Sequence, residues 1–442
     1  MAIPTQSSVR TLSQELLLRA FTLAFSFALA VVLSPTAEAQ TFSVLHFFTG
    51  GADGSDPVAG VTVAGPGTLY GTTYAGGGED GLGGVFKLTQ RGSGWTLDPL
   101  YEFSYGNDGF QPQGPLTVAP NGALYGTTSN GGTGDRGTVL ELQPPPTACH
   151  SAICYWNETV LHSFQGGAND GAYPSSTHLV LDQAGNIYGT TEFGGTGSGG
   201  ECQAGCGTVF ELSPSGGAWT FSILHNFQFN GIDGTMPEYG MVFDPAGNLY
   251  GTTLYGGNAS GQYGGGTAFE LSPSGGTWRE DILYNFPSWE DGSPSQATSL
   301  IRDRSGNLYG TTDFPAQGAE TIFELTPSEG SWIFSTLYTF GNCSPQPLAL
   351  DTQGNLYGTC VVGGANDAGW VFRLINSGGS WTILDLHDFA GSDGYIPVGP
   401  VVLDSNGNLY GTTTLGGISG GCGGEGCGVV WEITGLGAPQ KK

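Results

Sequence analysis

The chain repeats itself. Asn-Leu-Tyr-Gly-Thr-Thr, or a near variant, occurs seven times, with its tyrosine at Tyr70, Tyr125, Tyr188, Tyr250, Tyr309, Tyr357 and Tyr410, at intervals of 48 to 63 residues. A period of that size demands an architecture built from copies of one supersecondary unit. Repeat three shows the unit in full. Residues 177–182 are a short apolar run, and Asp182-Gln183-Ala184-Gly185-Asn186 is a turn with its glycine in the left-handed position. Residues 187–191 are a second strand whose internal glycine suits close approach of a neighbouring backbone. A variable glycine-rich loop leads to a third strand at 207–212. Ser213-Pro214-Ser215-Gly216-Gly217 reads as another turn, with proline preset for its second position. A fourth strand at 219–227 opens on a tryptophan that recurs at Trp95, Trp156, Trp219, Trp278, Trp332 and Trp381, and that is expected to pack between units.

Four short strands joined by turns describe one propeller blade. The first and third strands are nearly continuous apolar runs, as sheets buried on both faces require. The chain ends decide how the ring closes. Residues 42–48 match the end of a fourth strand, with no first, second or third strand before them. The last motif, Val429-Val430-Trp431-Glu432-Ile433, is a third strand with no fourth after it. The expected fold is therefore all-β: a seven-bladed β-propeller over residues 40–434, its ring closed by the N-terminal strand completing the C-terminal blade. Closure also removes the open sheet edge.

Outside the repeats, Arg10 and Arg19 precede an apolar run from Ala20 to Leu33, and Ala37-Glu38-Ala39 is a small-x-small cleavage signature. Residues 1–39 thus read as a secretory signal peptide, the run being short for a membrane span. Residues 435–442 form a short tail without an apolar segment. The expectation is a secreted or periplasmic monomer that does not insert into membranes. The net charge of −27 disfavours nucleic acid and anionic surfaces as partners. Gly and Pro make up about a quarter of the chain, close to compositions that stay disordered. The regularly spaced aromatics, 12% of residues, supply the apolar surface that disordered chains lack.

Eight cysteines fall into four pairs: Cys149/Cys154, Cys202/Cys206, Cys343/Cys360 and Cys422/Cys427. An even count in an exported chain reads as disulfides. Zinc held by these cysteines is disfavoured, because the pairs lie in different repeats and zinc needs converging ligands. The pair in repeat six is informative. Cys360 replaces the last threonine of the motif, and Cys343 lies where the other repeats carry an Asp-Gly pair. The propeller places the two segments side by side, so a Cys343–Cys360 bond is expected to replace a loop contact.

The run Gly-Asn-Leu-Tyr-Gly-Thr-Thr, then Gly-Gly, then Gly-Thr-Val-Phe-Glu-Leu-Ser-Pro-Ser-Gly-Gly resembles the bacterial GloVer tandem-repeat family, from residue 41 to about 434. Its layout is also similar to NHL-type propellers. The resemblance implies an exported repeat protein of undefined biochemical role. Relatives that carry a C-terminal anchoring segment differ from this chain at its tail, so free secretion is expected.

Antiparallel order puts the long connections, fourth-to-first and second-to-third strand, on one face. Binding usually lives on such loops. There the candidate ligand-binding residues are the Asp-Gly aspartates Asp53, Asp108, Asp170, Asp233, Asp291 and Asp393, with the aromatics Tyr74, Phe193, Tyr255 and Tyr263. A rim of carboxylates suits a polyhydroxylated ligand or Ca²⁺, although Asp-Gly is also ordinary turn chemistry. No cofactor, catalytic residue or dedicated metal site is read from the sequence. His46, His162, His225 and His387 share one repeat position with Tyr101, Tyr284 and Tyr338, as a packing position would. The expected function is a non-catalytic binding module for an extracellular glycan or protein. The alternatives are an enzyme acting on polysaccharide and a structural matrix component.

Overall fold

The computed structural model describes residues 40–78, 80–146, 154–200, 202–258, 263–288, 296–312, 320–418 and 421–436. The expected leader over 1–39, Cys149, Asp291 and most of the C-terminal tail lie outside the described residues.

Seven four-stranded antiparallel sheets follow one another along the chain. Blade 3 pairs Val180–Leu181, Ile187–Thr191, Thr208–Ser215 and Ala218–Asn226 in that order. The last blade takes Val402–Leu403, Leu409–Thr413 and Val429–Thr434 from the C-terminal end and Thr41–Phe47 from the N-terminal end. Thr41 faces Thr434 and Phe47 faces Val429, so the ring closes as expected. Among the described residues no helix is long and apolar enough to cross a membrane.

The blades are held by seven apolar clusters, one at each junction. That between blades 2 and 3 joins Tyr125, Val139 and Phe164 to Leu179, Ile187, Phe210 and Leu212. Each fully buried phenylalanine in such a seam contributes about 2–3 kcal/mol. Every recurrent tryptophan stands edge-on to the motif tyrosine of the blade before it, as Trp156 does to Tyr70 at 5.8 Å and Trp278 to Tyr188 at 6.1 Å. The outer strand of blade 7 begins too late to carry a tryptophan. There the Arg373 guanidinium lies over the Tyr357 ring, 5.3 Å from its centroid.

Two local expectations change. A Cβ on Gly189 would fall 2.6 Å from the Phe210 ring and 2.8 Å from Leu179. The motif glycine thus makes room for side chains of its own blade, not for a neighbouring backbone. The run Ser213-Pro214-Ser215 lies in the third strand, which turns at Gly216 and Gly217 alone, both with positive φ. Two adjacent residues with positive φ make the type I′ hairpin that matches strand twist. Pro214 is tolerated because beyond Leu212 that strand has a neighbour on one side only.

The two motif threonines have separate tasks. In blades 3 to 6 the first reaches the next blade: Thr190 Oγ1 donates to the Tyr239 carbonyl (3.0 Å), Thr252 to Thr298 (3.0 Å), Thr311 to Pro345 (3.3 Å) and Thr359 to Pro397 (3.2 Å). The second ties its own blade, Thr191 Oγ1 bonding Thr208 Oγ1 at 2.8 Å and Thr312 bonding Thr321 at 2.9 Å. On the opposite face, Asp182 accepts hydrogen bonds from the backbone N–H of Ala184 and Asn186, and the Tyr188 hydroxyl lies within hydrogen-bond reach of both Asp182 (3.2 Å) and Glu211 (3.1 Å). The recurrent glutamate of the third strand therefore serves the motif tyrosine.

Candidate functional site

The long connections share one face. Ser55 pairs with Ala75, Phe110 with Asn130, Pro345 with Cys360 and Tyr395 with Leu415, each joining the loop entering a blade to the loop after its second strand. The chain reaches the axis through a repeated kink. Asp56, Gln111, Tyr173, Met236, Gln296, Ser344 and Ile396 all have φ between 53° and 59°. Gln296 precedes Ala297, and each of the others precedes a proline. A positive φ is costly for a residue with a side chain. It is held because the kinked N–H bonds the preceding blade, as Met236 does with the Cys206 carbonyl (2.8 Å).

The five described Asp-Gly aspartates lie beside the outer strands, each engaged within its own junction. Asp53 accepts from His46 Nε2 (3.1 Å) and from the Thr49 N–H and hydroxyl. Asp108 accepts from the Tyr101 hydroxyl (2.9 Å) and Ser104. Asp170 bonds His162 Nε2 (2.9 Å), Asp233 bonds His225 Nε2 (3.2 Å) and Asp393 bonds His387 Nε2 (2.9 Å). The histidine-or-tyrosine position is thus the partner of the Asp-Gly carboxylate. Both ring types donate a hydrogen bond from their tip, which is why either serves there.

Repeat six lacks the aspartate, and there the Cys343–Cys360 disulfide joins the loop entering the blade to the end of its second strand. Cys202–Cys206 and Cys422–Cys427 are also bonded. The fourth expected pair differs from these three. Cys154 is itself disulfide-bonded, but Cys149, the partner that the spacing predicts for it, lies outside the described residues. The Cys149–Cys154 pairing therefore stays an expectation of the sequence, whereas the other three pairs are seen.

The structure brings Tyr255 and Tyr263 together, ring centroids 6.0 Å apart, and sets Phe193 edge-on to Tyr173 at 6.0 Å. Tyr74 instead stands at the axial mouth with Asp56, Gln113 and Ser176.

That mouth opens into a central cavity of about 590 Å³, walled by the innermost strands of all seven blades. Val61, Leu300, Leu348 and Val401 supply apolar wall, while Gln113, Ser176, Glu238 and Gln346 supply polar atoms. Here the repeat breaks down. The residue before the first core residue of each innermost strand is Gly60, Pro115, His178, Gly240, Ser299, Pro347 and Pro400. Six are small or proline; His178 alone extends a polar ring into the lumen. Its side chain is open to that lumen, and desolvation there holds its pKa below the ordinary histidine value. The residue after the two motif threonines is Tyr74, Ser129, Glu192, Leu254, Val361 or Thr414 in six blades. Burial pushes the Glu192 carboxyl up to about 7, the neighbouring Glu238 adding to the shift and a hydrogen bond from Ser175 opposing it. His178, Glu192 and Glu238 were not singled out from the sequence. Their signal is departure from the repeat, visible only once the axial positions are known.

Another departure lies on the outer ring. The His or Tyr of one blade is covered by a residue of the next blade's outer strand. Phe221 stacks on His162 at 4.1 Å, Phe334 on Tyr284 at 4.4 Å and Phe42 on His387 at 3.5 Å. At two junctions a glutamate takes that place. Glu158 lies near Asp108 beside Tyr101, and burial, with Asp108 adding, pushes its carboxyl up to about 7. Glu280 lies beside His225, its Oε2 3.5 Å from Nε2.

The fold and the axial cavity define the class: a closed seven-bladed propeller with a cavity on its axis. The Gloeobacter/Verrucomicrobia repeat matches residues 27–202 and 198–431, and the chain belongs to that family. No curated protein matches it in sequence. Among solved structures, it is similar to the extracellular domain of a protein described as a one-component system from B. thetaiotaomicron: 10% identity, TM-score 0.52, over 91% of this chain and 43% of that one. It is also similar to a periplasmic gluconolactonase of Pseudomonas aeruginosa: 15% identity, TM-score 0.44, over 87% and 96%. A gluconolactonase of Xanthomonas campestris aligns at 14% identity, TM-score 0.39, over 73% and 87%. Likeness at such identities reflects the propeller fold alone.

Proposed function

We propose that the protein is an exported, non-catalytic binding module that takes a saccharide unit into its axial cavity from the loop-bearing face. One observation carries this reading. The blades repeat their packing residues almost without exception, yet the positions facing the axial mouth differ from blade to blade. Packing alone asks for sameness; a ligand without sevenfold symmetry asks for difference. The cavity of about 590 Å³ is of ordinary ligand-site size. Its apolar walls suit the C–H faces of a sugar ring. His178, Glu238, Gln113 and Gln346 suit its hydroxyls, since a hydroxyl both donates and accepts. The net charge of −27 disfavours an anionic ligand. Export is supported by the leader expected over 1–39 and by three intrachain disulfides.

A second reading rests on the same corner of the mouth. A carboxyl with a raised pKa beside a second carboxylate is the arrangement by which acid and base roles separate in polysaccharide-acting enzymes. A glycan array probed with the mature protein distinguishes the readings. Saturable binding with the glycan recovered intact supports the module. Cleavage of any bound polysaccharide supports the enzyme, and an array without a bound glycan counts against both.

A further inference from the structure

We propose that His225, Asp233 and Glu280 form a site for a divalent transition-metal cation of the Zn²⁺ type at the outer junction of blades 3 and 4. One ligand atom from each lies within 4.8 Å of the other two. His225 Nε2 is 3.2 Å from Asp233 Oδ2 and 3.5 Å from Glu280 Oε2. Bonds of 2.0–2.1 Å around a tetrahedral ion place neighbouring ligands about 3.3 Å apart. The two separations from His225 are close to that value, and the third, between the carboxylates, is within 4.8 Å.

The second observation is the set of atoms without partners. Asp233 is only 6% exposed, and its Oδ1 has no hydrogen-bond partner. Glu280 Oε1 is likewise buried and unpaired. Leaving such a carboxylate oxygen unsatisfied costs about 1–3 kcal/mol or more, and a cation gripped by both oxygens of each carboxylate removes that cost.

The repeat supplies the comparison. His162 and His387 make the same bond to an Asp-Gly aspartate, and each is covered by a phenylalanine from the next blade. At His225 the covering residue is Glu280, so among the described residues this junction alone sets a histidine, an Asp-Gly aspartate and a glutamate together. One imidazole and two carboxylates favour a zinc-type ion over Ca²⁺, which takes six or more oxygens. The ion takes the lone pair of Nε2, whose proton leaves or moves to Nδ1. Three protein ligands leave the fourth position to water.

The test uses the mature protein, stripped with chelator, re-equilibrated with Zn²⁺ and freed of excess ion. Glu280→Phe and His225→Tyr are compared with it, because both substitutions install residues that the repeat itself uses at these positions. Elemental analysis is expected to find one fewer Zn²⁺ per chain in either variant. Zn²⁺ is expected to raise Tm in the parent and not in the variants, all three having similar Tm without metal. Equal zinc content in all three proteins overturns the site. A Tm rise with Ca²⁺ equal to that with Zn²⁺ overturns the assignment of ion class.

Discussion

The indole of Trp219 meets the ring of Tyr125 edge-on across the junction of blades 2 and 3, their centroids 6.1 Å apart. Edge-to-face aromatic pairs contribute about 0.5–1.5 kcal/mol beyond the area they bury. Trp219 is half-buried, so Trp219→Ala is expected to lower the unfolding free energy by about 2 kcal/mol, with Trp219→Phe losing less. Denaturant melts of the three proteins check this. Equal losses for alanine and phenylalanine would show that the pairing geometry is irrelevant.

The closing strand carries a larger share. Thr41–Phe47 pairs along Val429–Thr434, Phe42 stacks on His387, and Phe48 is buried against Phe86. Removing residues 40–48 opens the third strand of blade 7 as an exposed edge and uncovers several large apolar side chains. The expected result is a Tm lower by about 10 °C or more, with concentration-dependent aggregation. An unchanged melting curve would contradict ring closure by this strand.

In blade 6, which lacks the Asp-Gly aspartate, the Cys343–Cys360 bond ties the entering loop to the end of the second strand. It spans 17 residues of sequence, for which chain entropy gives about 3 kcal/mol. The double variant Cys343→Ser, Cys360→Thr, which restores the motif threonine, is expected to lose about that much. Little or no loss would show that the bond is dispensable once the threonine returns.

The fold was legible to the level of strand order because the packing residues repeat. Seven tyrosines count seven blades, and the isolated fragments at the two ends identify the closing strand. The Asp-Gly carboxylates were legible as turn residues, but their partners were not, since His162 and Asp170 meet through loop geometry that periodicity does not encode. Pro214 was misleading in isolation. It signals a turn unless one knows that its strand outruns its neighbour. The axial residues were hardest. His178 and Glu238 belong to no motif, and only the placement of the innermost strands shows that they share a cavity.

Glu192 sets a pH dependence. Its carboxyl has a pKa of about 7 in the folded chain against 4.5 as the ordinary value, owing to burial and then to Glu238. The folded state keeps a proton that the unfolded chain releases above pH 4.5, so stability falls as pH rises from 4.5 to 7 and is level above that. Glu192→Gln abolishes this term. The variant's stability relative to the parent is expected to rise across that window by no more than about 3 kcal/mol. A difference that is flat with pH would contradict the placement of Glu192 in a desolvated pair.

The central claim is that the ligand sits on the axis. The direct measurement is calorimetric titration of the mature protein, and of His178→Ala and Glu238→Gln, with the strongest glycan from the array. The account predicts at least tenfold weaker binding in the His178 variant, about 1.4 kcal/mol, and a smaller loss in the Glu238 variant. Substitution of Tyr255 on the loops is expected to leave the isotherm unchanged. Saturable binding that survives both axial substitutions and is lost with Tyr255→Ala would place the site on the outer loops and contradict the account.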